Sequence, residues 1–133
     1  MMRVLIVEDE ALVAMEIESM LSMAGHDPVG PADDLATAIA AADASKPDLA
    51  LVDMQLARGC SGLDVAAALQ ARGVPVIFAT GNCPREHRGD LALGCLQKPF
   101  SDQTLTAAIS AAAAILSGAR VPALPPSLHI YSR

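Results

Sequence analysis

Val-Leu-Ile-Val-Glu-Asp-Glu, residues 4–10, changes character in the middle. Four apolar residues run without alternation, as in a strand covered on both faces, and three carboxylates follow where such a strand would end. Working outward, Leu12, Val13, Ile17, Met20, Leu21 and Ala24 recur at helical spacing, with Glu10, Glu16 and Glu18 toward water and Gly25 as the stop. The pattern of a short apolar run, a polar residue and then a helix repeats along the chain. Asp27 to Gly30 is a weak strand, and Asp33-Asp34 can cap a helix through Leu35, Ala38, Ile39 and Ala42 to about Ala44. Leu49 to Val52 is a third strand, ended by Asp53.

Met54 to Gly62 is rich in turn residues, and Leu63 to about Arg72 reads as a helix closed by Gly73. Val74 to Ala79 is the fourth strand. Asn82 to Asp90 is polar and broken by Pro84 and Gly89, leaving room for a turn or two of helix before a short strand at Gly94 to Gln97. Ser101 caps a last helix through Leu116, and Gly118 ends it. Residues 119–133 carry Pro122, Pro125 and Pro126 and read as an extended tail after a domain at 1–118. Five β/α repeats predict an α/β protein with an open, doubly wound parallel sheet.

The composition narrows what such a domain can do. With 133 residues, 53% of them apolar, the chain can bury a core without metal or disulfide support. It carries 15 acidic and 9 basic side chains, no Trp, and Phe78, Phe100 and Tyr131 as its only aromatics. Without a basic run or a stacking platform, nucleic acid is a poor candidate partner. No apolar run is long enough for a membrane span, and no signal segment is evident. Cys60, Cys83 and Cys95 are odd in number and form no CxxC, so neither a disulfide framework nor a zinc site is expected, and a cytoplasmic setting fits. His26, His87 and His129 share no metal-ligand spacing.

In doubly wound sheets ligands bind beyond the carboxyl ends of the strands. The residues there are Glu8 and Asp9, Asp53, Thr80 and Lys98. Three close carboxylates repel one another unless a hard cation joins them, and Mg²⁺ suits one or two protein carboxylates plus a phosphate oxygen. Lys98 is then a point charge for a phosphoryl oxygen or for Asp53, and Thr80 a hydroxyl for another oxygen. Asp53, alone at the end of a buried strand, is the natural nucleophile for an aspartyl phosphate. Singly, each motif has a plainer explanation: a helix N-terminus favouring acids for Glu8-Asp9, a turn for Asp53, an ST-turn for Thr80, a surface lysine for Lys98. Their joint occurrence at successive strand ends favours the site.

Val-Glu-Asp-Glu at 7–10, Leu-Val-Asp-Met at 51–54, Ala-Thr-Gly at 79–81 and Lys-Pro-Phe at 98–100 resemble, in that order, a two-component response regulator receiver domain over residues 3 to about 117. The resemblance implies a flavodoxin-like sheet of order 2-1-3-4-5 with helices on both faces. It implies Asp53 as phosphoacceptor from a phosphohistidine, and Glu8, Asp9, Asp53 and the Gln55 backbone carbonyl as Mg²⁺ ligands. It further implies Thr80 as switch hydroxyl, Lys98 as phosphoryl partner, and a cis bond before Pro99. The implied partners are a sensor histidine kinase or a histidine phosphotransfer protein, and the implied activity is Mg²⁺-dependent self-phosphorylation with autodephosphorylation.

Two departures stand out. Cys95 occupies the position three before the Lys where receivers usually carry an aromatic switch residue, so Cys95 is expected to be a small buried apolar residue there. The span from Thr80 to Lys98 is short by about a helical turn, so the fourth helix is expected to be shortened or irregular. With Phe-Ala-Thr-Gly at 78–81, this is similar to the receiver subfamily named for a Pro-Phe-x-Phe-Ala-Thr-Gly-Tyr motif, although Val76 and Asn82 replace its first Phe and its Tyr.

Between Asp102 and Arg120 the chain has no charge. A helix apolar all round is normally covered, here by a second copy in a homodimer or by the tail's Val121, Leu124, Leu128, Ile130 and Tyr131. Exposed alanines that need no cover are the alternative. The output of a stand-alone receiver is expected to be a protein contact with a downstream partner the sequence does not name, or drainage of phosphate from a shared kinase. The rival functions are a receiver-like module that binds without phosphorylation and an Asp-nucleophile phosphatase of the haloacid-dehalogenase type. The latter family carries Asp-x-Asp after its first strand, whereas here Asp53 is followed by Met54 and Gln55 after the third.

Overall fold

In the computed structural model, which describes residues 1–84 and 89–131, side-chain alternation along each strand sets the layers. In β1 (Arg3–Val7), Val4 and Ile6 point to one face and Leu5 and Val7 to the other. In β3 (Leu49–Val52), Leu49 and Leu51 join Val4 and Ile6, while Ala50 and Val52 join Leu5 and Val7. Each face needs a helical cover. α1 (Ala11–Met23) supplies Ala14, Ile17 and Leu21 to the first face, together with α4 (Asp102–Ser117), which adds Leu105, Ala108, Ile109, Ala111 and Ala112. α2 (Leu35–Ser45) and α3 (Gly62–Ala71) cover the second with Ala38, Ala42, Val65, Ala66 and Leu69.

The remaining strands are β2 (Asp27–Ala32), β4 (Val76–Thr80), β5 (Gly94–Gln97) and β6 (Leu128–Ile130). The sheet order is β2-β1-β3-β4-β5-β6, parallel throughout except for β6, which pairs antiparallel to β5. The expected order 2-1-3-4-5 is therefore present and extended by one strand. That strand comes from the segment read as an extended tail: three residues after two prolines are too few to show a period. Leu128 enters the same core as Leu105 and Ile109, and Tyr131 enters the opposite one, so this part of the tail is packed on the domain. Val121 and Leu124 stay exposed.

Local chemistry explains the element starts. Asp34 caps α2, accepting the Thr37 N–H at 2.8 Å, while the Thr37 hydroxyl accepts the Asp34 N–H at 3.2 Å. Ser101 and Thr104 form the same reciprocal cap at α4. β2, weak in sequence, reaches two residues further than expected, with cis Gly30–Pro31 and a register shift where Val7 meets Ala32.

The cysteine expectation is overturned. Cys83 and Cys95 form a disulfide, their Cα atoms 6.0 Å apart. β4 and β5 are neighbours with Phe78 opposite Cys95, and Cys83, three residues past the end of β4, lies against β5 at Cys95. Two cysteines 12 residues apart across an irregular loop give no sign of that proximity in sequence. Cys95 is buried as expected, but as half of a covalent pair; Cys60 is free. The expectation of a shortened fourth helix falls partly on 85–88, which, with His87, lie outside the described residues. The described parts of that stretch, 81–84 and 89–93, contain bends and turns but no helix.

Candidate functional site at the carboxyl edge of the sheet

β1, β3, β4 and β5 run parallel, so the residues at their carboxyl ends share one edge. Asp9, Glu10, Asp53, Met54, Gln55, Thr80, Gly81, Asn82 and Lys98 line a cleft of 640 Å³ there. Carboxylate oxygens of Glu8, Asp9 and Asp53 lie within 4.8 Å of one another. All five side chains singled out at strand ends are brought together, and Gln55 lies on the cleft wall, where its residue bridges Ser61. Cys95 is not part of this wall.

Each group is held by its element. Asp53 follows β3 directly; its N–H donates to the Val7 carbonyl at 3.0 Å, which ties the end of β3 to the end of β1. One Asp53 oxygen accepts the Met54 N–H at 2.7 Å and the other faces the Lys98 Nζ at 3.2 Å. Below it, Gly62 is an obligatory glycine, because a Cβ there would stand 2.0 Å from the Asp53 carbonyl oxygen. Lys98 follows β5, its N–H donating to the Thr80 carbonyl at 2.9 Å, and the Lys98–Pro99 bond is cis.

Glu8 is almost wholly buried, its side chain 2% exposed. It accepts from the Lys98 Nζ through one oxygen and from the Glu10 N–H at 3.1 Å through the other. Burial pushes the Glu8 carboxyl pKa up and the neighbouring Asp53 charge adds to this, against the opposing pull of the Lys98 and Glu10 hydrogen bonds. Burial alone would lower the Lys98 pKa, but the Glu8 hydrogen bond and the charges of Glu8 and Asp53 outweigh it, so the ammonium is held above its ordinary value. Lys98 is thus a fixed cation between two carboxylates. Asp9 is exposed at the mouth.

Thr80 is buried, and its hydroxyl accepts the Asn82 N–H at 3.3 Å. The Gln97 side-chain amide donates to the Gly81 carbonyl at 2.6 Å, fastening the loop after β4 to the end of β5. Sequence reasoning missed Gln97, Gly62 and the Cys83–Cys95 bond. Only Gln97 left a trace, as a polar residue ending an apolar strand next to Lys98. The donor set fits a small hard cation: three carboxylates, all oxygen, at an open edge. Both oxygens of Glu8 and both of Asp53 already accept hydrogen bonds, so among the described residues Asp9 is the carboxylate with most free lone-pair capacity.

A doubly wound sheet with carboxylates, a hydroxyl and one lysine gathered beyond four parallel strands defines a receiver module of signal transduction. The chain belongs to the response regulator receiver family: the model of the response regulator receiver domain matches residues 4–110. The phyllosphere-induced regulator PhyR of Methylorubrum extorquens is 40% identical over 121 residues, covering 88% of this chain and 45% of PhyR. The transcriptional regulatory protein PdtaR of Mycobacterium tuberculosis is 36% identical over 115 residues, covering 83% of this chain and 56% of PdtaR. The solution structure of the receiver domain of Erythrobacter litoralis PhyR superposes with a TM-score of 0.77 at 36% identity, covering 93% of this chain and 96% of that one. The chain spans about half the length of the curated relatives it matches. Among the described residues no helix is long and apolar enough to cross a membrane.

Proposed function

We propose that Asp53 accepts a phosphoryl group from the phosphohistidine of a sensor histidine kinase or histidine phosphotransfer protein, in a reaction that requires Mg²⁺. The observation that carries this is the Asp53 carboxylate in an open cleft, 3.2 Å from the Lys98 ammonium and grouped with Glu8 and Asp9. An Asp53 oxygen attacks phosphorus, the N–P bond breaks, and the imidazole leaves with the bonding electron pair and takes up a proton. Bound Mg²⁺ would neutralise phosphoryl charge, with Asp9, Asp53, Glu8 and the Gln55 carbonyl as its protein ligands. Lys98 offers its ammonium to a phosphoryl oxygen, and Thr80 is the hydroxyl that would turn to bond another.

Output through protein contact agrees with a formal charge of −6 and the lack of a basic run. The relatives are named as regulators, PdtaR as a transcriptional one, and this chain would serve regulation by binding a protein partner or by draining phosphate from a shared kinase. Incubation with acetyl phosphate and Mg²⁺, followed by intact-mass measurement, tests the proposal. One phosphoryl mass increment is expected in the wild type and none in Asp53→Asn or in EDTA. Absence of the increment in the wild type, or its persistence in Asp53→Asn, would overturn the assignment of Asp53 and favour a module that binds without phosphorylation.

A further inference from the structure

The Cys83–Cys95 bond lies next to the cleft but outside it. Cys95 sits on β5, fully buried against Phe78 and the apolar cluster that Tyr131 completes. Cys83 is half-buried in the loop after β4, one residue past Asn82 and two past Gly81, both of which line the cleft. The described part of that loop is fastened to β5 by the exposed Gln97 hydrogen bond to the Gly81 carbonyl and by the disulfide. Only the disulfide is covalent.

Both oxidation states suit the fold. Two apolar layers cover the sheet, so the core does not depend on a staple. A reduced Cys95 is a small apolar side chain among apolar neighbours. Cys83 and Pro84 also line a second open cleft of 600 Å³, shared with Gln97, Leu128 and His129, through which a small thiol or disulfide can reach the Cys83 sulfur. Forming or breaking the bond changes the freedom of the segment that carries Gly81 and Asn82 past Thr80.

We propose that Cys83 and Cys95 are a reversible dithiol/disulfide pair, and that its oxidation by low-molecular-weight disulfides sets the rate at which the carboxylate site gains and loses its phosphoryl group. The Cys83 thiolate attacks one sulfur of a disulfide RSSR and expels RS⁻; the Cys95 sulfur then displaces the second RS⁻ from the mixed disulfide. The two cysteine protons go to the two leaving thiolates. One RSSR becomes two RSH as the protein pair loses two electrons. The effect on phosphoryl transfer rests on the reading of Asp53 as phosphoacceptor; the thiol chemistry does not.

The protein is equilibrated in glutathione buffers of graded reduced-to-oxidised ratio, quenched in acid, denatured, and alkylated with N-ethylmaleimide for intact-mass counting. One adduct, at Cys60, is expected at the oxidised end and three at the reduced end, with full return on reversal. Acetyl phosphate labelling at each end should then differ in rate at least threefold. Cys83→Ser and Cys95→Ala should both label at the reduced rate under either buffer. A pair that never changes state in these buffers, or folded forms that label at equal rates, would overturn the proposal. Absence of labelling in both forms with intact thiol titration would instead refute the Asp53 reading and the proposed rate effect, leaving the reversible pair established.

Discussion

Lys98 reaches two carboxylates from different strands, Glu8 after β1 and Asp53 after β3, and removing it shows what it holds in check. In Lys98→Met, Glu8 would remain buried beside the Asp53 charge with only the Glu10 N–H to bond. A loss of about 2 kcal/mol in unfolding free energy is expected at pH 7 in EDTA, measured by urea titration. The sign follows from Glu8, whose pKa burial already raises. A carboxyl with a raised folded pKa favours folding only as it takes its proton, so the deficit should shrink as pH falls through that raised value. A deficit that stays constant from pH 7 to pH 4 would mean Glu8 is not the group left uncompensated. Most of this site was legible from residue type and position. Glu8, Asp9 and Asp53 follow strands whose apolar runs are unmistakable, Thr80 ends another, and Lys98 follows a short strand marked mainly by its place before the last helix. Gly62 and Gln97 were not, because their roles depend on which backbone passes within a few ångströms, and a sequence does not list such approaches.

Helix α2 is the element whose start depends most visibly on charge. The Asp34 carboxyl accepts the Thr37 N–H, the Thr37 hydroxyl and the Arg58 guanidinium, and these bonds hold its pKa at about 2. A carboxyl depressed in this way contributes stability above its unfolded value, and that contribution is lost as pH falls toward 2. Asp34→Ala should therefore lower the urea midpoint at pH 6, and the gap from wild type should close steadily between pH 4 and pH 2. A gap independent of pH would show that the charge of Asp34 is irrelevant to the cap. This helix was also legible, since Asp33-Asp34 before a run of alanines is an N-terminus signal. β6 was not. Its partner β5 receives it where Gly94 leaves room, since a Cβ there would stand 2.3 Å from the His129 carbonyl oxygen. A lone glycine opening a strand does not announce that another strand will lie against it.

At the scale of the molecule, β6 makes the last segment part of the domain. Leu128 and Tyr131 are buried in opposite cores, on either side of the sheet. Ending the chain at Gly118 would remove both side chains and uncover the core residues they pack against, and the β5 edge with them. Burial of two large side chains at about 1.5–3 kcal/mol each predicts a loss of about 3–6 kcal/mol. The urea midpoint should fall accordingly, and a truncated chain as stable as the full one would mean that β6 adds nothing. α4, expected to need cover, finds it through the sheet and in part through this segment: Leu105, Ala108, Ile109, Ala111 and Ala112 are buried, while Leu116 remains exposed.

The sheet has two outer margins, and both refuse a further strand. At one, β2 carries Pro28 and Pro31, which have no N–H to offer a neighbour. At the other, β6 is only three residues long, too brief a rung to template a ladder. Strand addition from a second chain, the route by which open sheets fuse into aggregates, is disfavoured at both sides. The helices and loops then remain as surfaces for recognition, and the loops beyond the carboxyl ends of the strands border the cleft that holds Asp53.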